Sequence, residues 1–75
     1  MNAKRRKQLN GVIETLNIMK DSIESIQDDE QEYLDNIPEN LQMSDRAMTA
    51  QDAVDALEEA LNSLVDCIDR LEDVL

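Results

Sequence analysis

The chain has 75 residues, a formal net charge of -11, no His, one Cys and one aromatic residue. It is long enough for one small domain and poor in reactive groups. A lone cysteine excludes an internal disulfide, and its pairing with no histidine excludes the usual zinc sets. Below about 80 residues a single core stabilises a fold by only ~3–5 kcal/mol unless a disulfide, a metal or association adds to it. Association is the aid this composition leaves open.

The N-terminus concentrates positive charge. Lys4, Arg5, Arg6 and Lys7 are four of the seven basic residues, and with them set aside the net -11 becomes about -15 for the rest of the chain. Residues 1–7 read as a basic tail. An acidic body of this kind disfavours direct nucleic-acid binding and anionic membranes and favours basic partners. There is no signal-peptide-like apolar run and nothing near the ~20 apolar residues that cross a bilayer, so a cytoplasmic protein is expected.

Residues 8–35 read as the first helix. Leu9, Val12, Leu16, Met19, Ile23, Ile26, Glu30 and Tyr33 alternate at spacings of three and four, the a and d positions of a coiled-coil seam. Glu14, Asp21, Glu24 and Asp28 take outward positions, which separates a polar from an apolar face. Glu30 alone breaks the seam, with Arg46 as a candidate partner. Gly11, on an outer face, should weaken the first turns by about 1 kcal/mol relative to alanine.

Residues 36–43 form the hinge and hold the only proline. Pro38 cannot donate to a helical ladder and pushes Ile37 out of the α region, so the first helix should stop near Asn36. Asparagine at that place suits a left-handed cap. Residues 44–75 read as the second helix, capped by Ser44 in preference to Thr49. Its seam is unbroken: Ala47, Ala50, Val54, Leu57, Leu61, Leu64, Ile68, Leu71 and Leu75.

The arms nearly match in length, so the expected fold is all-α, an antiparallel two-helix hairpin with coiled-coil-like packing. The a-to-d layers would run from Leu9 with Leu71 at the open end to Tyr33 with Ala47 at the hinge. This register sets Lys4 to Lys7 beside Glu72 and Asp73, an arrangement that can offset basic charge at a helix N-terminus. Ala53, Ala60, Cys67 and Val74 form a second stripe every seven residues at g, and Ile13 and Leu34 lie at e. A lone hairpin cannot cover these flanks. They are expected to form an oligomer interface, most simply in a homodimeric four-helix bundle or a higher oligomer.

No catalytic residue, metal site or cofactor is expected. There is no Gly-rich phosphate loop, and no base accompanies Cys67, which suits a small interface position. Asp52 with Asp55, Asp66 with Asp69 and Asp69 with Glu72 have metal-binding spacing but occupy outer faces. Two charged clusters remain. Asp28, Asp29, Glu32, Asp35 and Glu39 give the hinge end an acidic surface that could imitate nucleic-acid phosphates in a basic groove. Lys4, Arg5, Arg6 and Lys7, converging from several copies, could instead hold a nucleotide or other phosphate ligand.

The segment Tyr33-Leu34-Asp35-Asn36-Ile37-Pro38-Glu39-Asn40-Leu41-Gln42, followed by Ser44 and Arg46, resembles small uncharacterised acidic helical proteins of phages and mobile elements of Gram-positive bacteria. The resemblance covers about half of the chain, the hinge and second helix. It implies an accessory protein in a bacterial host cytoplasm that binds a basic host protein, in particular one of the defence machinery, or sequesters a ligand. A structural or assembly role is a third expectation.

Overall fold

The first helix begins at a cap. In a computed structural model describing residues 1–75, Asn2 Oδ1 accepts the backbone N–H of Arg5 at 2.8 Å, and α1 runs over Ala3–Asp35. It therefore starts five residues before the expected Gln8. The basic run occupies its first two turns instead of an extended tail, because alanine, lysine and arginine are strong helix formers and Asn2 satisfies a free N–H.

At the hinge the Asn36 N–H donates to Glu32 O at 3.1 Å and the Ile37 N–H to Leu34 O at 3.2 Å. Asn36 stays in the right-handed region, and no residue has a positive φ. The expected left-handed cap is thus replaced by a right-handed one. After Pro38 a single 3₁₀ turn spans Glu39–Leu41, and Gln42 Nε2 donates to Ile37 O at 2.6 Å. These bonds occupy backbone groups that proline would otherwise leave open. The second helix, α2, covers Asp45–Glu72. Ser44 Oγ accepts the Ala47 N–H at 3.3 Å, and Asp45 lies in the positive first turn.

The chain is all-helical, and the two helices fold back on each other in a rod of 59 × 15 × 12 Å. On α2 the seam is the expected one as far as Leu71: Ala47, Ala50, Val54, Leu61 and Ile68 are buried, with Leu57, Leu64 and Leu71 half-buried. The helix ends at Glu72, short of the expected residue 75, and Leu75, expected in the seam, is 44% exposed beyond it. On α1 the seam differs. Leu9, Leu16, Ile23 and Glu30 are half-buried, but alternate with Ile13, Lys20, Gln27 and Leu34. The expected d residues are replaced by their e neighbours, a turn of the helix of roughly 50° at 100° per residue.

The hinge explains the rotation. Leu34 and Ile37 close over Ala47 and Ala50 in one buried cluster, where two small alanines accept two branched side chains. Leu34, not Tyr33, therefore takes the layer of Ala47. Farther along, Gln27 Nε2 donates to Val54 O at 3.3 Å and to Glu58 Oε2 at 2.8 Å, the only hydrogen bonds that cross between α1 and α2. Gln27 is thus level with Val54, as the a-to-d layering requires.

Candidate functional site

Three surface regions follow from this geometry. The first is a face that the hairpin leaves uncovered. Because e residues turn inward, the d residues of α1 turn out: Val12 is 49% exposed, Met19 49%, Ile26 57% and Tyr33 42%. They repeat every seven residues, so they form one straight stripe. In an antiparallel pair, e positions meet across one side and g positions across the other. The Gln27 to Glu58 bond joins e to e, which places the α1 stripe beside the g residues of α2.

The g residues of α2 are small: Ala60, Cys67 and Val74 are exposed, and Ala53 is half-buried. Beyond them the open side is edged by Thr15, Ser22 and, near the hinge, Asp29 on α1 and by Thr49, Ala56, Ser63 and, at the far end, Arg70 on α2. The opposite side carries Glu24, Asp55, Glu58, Asp69 and Glu72. The open side is therefore the weakly polar side of the rod. Ile13 and Leu34, expected in the oligomer interface, are instead 7% exposed within the hairpin. They are the seam, because the helix rotation exchanged them with Val12 and Tyr33.

The second region is the hinge end. Asp28, Asp29, Glu32, Asp35 and Glu39 are all exposed. Asp35 Oδ1 accepts Gln31 Nε2 at 2.8 Å, while Asp28, Glu32 and Asp35 lie on helix faces away from the apolar stripe. A hollow of about 180 Å³ lies next to them, lined by Tyr33, Asn36, Ile37, Pro38, Leu41, Ser44 and Arg46. Arg46 thus lines the hinge hollow. Glu30 is half-buried without it, and its carboxylate reaches water, as no buried side-chain polar atom lacks a partner.

The third region is the far end of the rod. Lys4, Arg5, Arg6 and Lys7 are exposed on the first turns of α1, where free backbone N–H groups and the helix dipole add to their positive potential. The acidic pairs of α2 remain on its solvent faces, and no three potential metal ligands converge. Cys67 is a free, exposed thiol. No helix is long and apolar enough to cross a membrane.

The stripe of Val12, Met19, Ile26 and Tyr33 is the feature that sequence reasoning misassigned, by placing it in the seam. The signal was present in the adjacent apolar pairs Val12-Ile13 and Tyr33-Leu34, which mark a helix with two apolar faces. Comparison with protein-family models, with curated proteins and with solved structures finds no match.

Proposed function

We propose that this chain is a non-catalytic binding protein that works as a homo-oligomer and engages a basic protein surface through the acidic end of its rod. The observation that carries this reading is the segregation of charge along the rod. Asp28, Asp29, Glu32, Asp35 and Glu39 are exposed together at the hinge end, and the basic run occupies the other. An acidic end with outward carboxylates attracts a basic groove and orients the rod as it approaches. The resemblance of the hinge to phage and mobile-element proteins makes the partner a host protein, and inhibition of a defence protein the outcome.

The test is charge reversal of Asp28, Asp29 and Glu32 to lysine, with helicity checked by circular dichroism. Immobilised wild-type protein should retain a basic host protein that added salt releases, and the variant should not. An unchanged retained protein would reject the acidic end as the binding surface.

A second reading rests on the basic end. Helix α1 includes Lys4 to Lys7, so four cationic side chains surround an ordered helix N-terminus, a favourable setting for phosphate. In this reading the oligomer sequesters a nucleotide. Alanine at all four positions would remove a nucleotide-sized adduct from the native mass spectrum, and an adduct that persisted would end this reading.

A further inference from the structure

We propose that the open side is covered by a second copy of this chain whose hinge lies at the same end of the rod, so that α1 of each copy rests on α2 of the other. This rests on the homo-oligomeric part of the reading above and specifies its interface. Exposed area points to a second copy. The chain exposes 5714 Å², whereas a compact monomer of its mass exposes about 4,700 Å². The excess of roughly 1,000 Å² per chain is what one partner contributes to a stable dimer, typically about 800 Å². Only eight residues are buried in the hairpin, and the uncovered apolar surface is the obvious place for the missing burial.

Side-chain size points to the orientation. Gln27 is level with Val54, so in the antiparallel pair Ile26 is level with Asp55, and its nearest g residue is Ala53, two residues away or about 3 Å along the rod. Met19 stands in the same relation to Ala60 and Val12 to Cys67, each step being seven residues along both helices. A two-fold axis along the rod lays each large α1 side chain over a small one on the partner's α2. Large against small at every layer lets helices approach closely and fill the interface. The flanks agree, because Thr15 falls within one turn of Ser63 and Ser22 within one turn of Ala56, pairs without charge, while Asp29 ends this row near the hinge, exposed to solvent.

Reversing the second copy would set Met19 against Ile26 on one side of the bundle and alanine against alanine on the other. That packing is uneven, although it would separate the two acidic ends. Charge and packing therefore oppose each other here, and range decides between them. Asp28, Glu32 and Asp35 point away from the open side, Asp29 stands at its solvent-exposed edge, and at physiological salt repulsion between the two copies' carboxylates is screened beyond about 8 Å. Side-chain packing acts at contact and is not screened. The resulting dimer shows two acidic ends side by side, a doubled surface for the proposed basic partner.

Spin labels read the orientation directly. With Cys67→Ser to remove the native thiol, Asn40→Cys is labelled at the exposed hinge tip, and interspin distances are measured by pulsed electron resonance. Met43→Cys, on the most exposed apolar side chain, provides an independent second position. Hinges at the same end place the labels within about 20 Å, two helix diameters. Hinges at opposite ends separate them by about 50 Å, which would overturn the orientation and leave the homodimer standing. A monomer mass with no dipolar coupling would overturn the homo-oligomer itself and assign the open side to a different protein.

Discussion

The two helices of this hairpin solve the same problem from unlike starting points. On α2 the apolar side chains of the seam have small neighbours at g as far as Cys67, so one orientation turns the whole seam inward from Ala47 to Leu71, with Val54, Leu61 and Ile68 buried and the leucines between them half-buried. On α1 apolar residues fill d at Val12, Met19, Ile26 and Tyr33 and also stand at e near both ends, at Ile13 and Leu34, and one helix cannot turn both inward. The hairpin buries Ile13 and Leu34 and leaves Val12, Met19, Ile26 and Tyr33 outside. A helix with one apolar stripe needs one neighbour, and a helix with two needs a second. The asymmetry between α1 and α2 is therefore the basis of the proposed second copy.

Substitutions at neighbouring residues separate the two faces of α1. Leu34→Ala removes a branched side chain from the hinge cluster and should cost about 2–4 kcal/mol of hairpin stability, as for other buried leucines. Tyr33→Ala, one residue away and exposed, should cost well under 1 kcal/mol in urea unfolding at concentrations too low for association. Equal losses would mean that the cluster does not set the rotation of α1.

Smaller effects probe the seam itself. Glu30→Leu replaces a half-buried carboxylate without a protein partner and should raise stability by about 1 kcal/mol; a loss would reveal a partner for Glu30. Gly11→Ala should add about 1 kcal/mol, because an added Cβ meets nothing within 4 Å. An unchanged urea midpoint would show that the first turns of α1 fray before global unfolding. Gln27→Ala removes the bonds to Val54 and Glu58 and should cost about 0.5–1.5 kcal/mol. A double-mutant cycle with Glu58→Ala would show how much of that belongs to the side-chain pair.

The sequence made the hairpin legible because its period of three and four is sustained over both arms and broken once, at Pro38. The α2 seam was legible because nothing apolar competes with it. Helix α1 was ambiguous at Val12-Ile13 and Tyr33-Leu34, where either neighbour can face inward. The decision came from a tertiary contact, the closure of Leu34 and Ile37 on two alanines, which no local pattern encodes. The N-terminal boundary was set too late because the basic run was read as charge alone, when its residues are also strong helix formers and Asn2 is a cap. The exposure of the acidic end was readable from outward heptad positions. What that end binds is a property of a second molecule.

The most direct measurement is the native mass of two variants, Ile26→Asp and Ile18→Asp, beside the wild type. Ile18 is the more exposed of the two at 61% but lies off the stripe, so general stickiness would make it the more sensitive position. An aspartate at position 26 would bury an unpaired charge between copies, a penalty of about 3–5 kcal/mol or at least a hundredfold in dissociation constant. Wild type and Ile18→Asp should run at twice the 8.6 kDa chain mass and Ile26→Asp at the chain mass itself. A monomeric wild type, or a dimer indifferent to Ile26→Asp, would contradict the assignment of this face to a second copy.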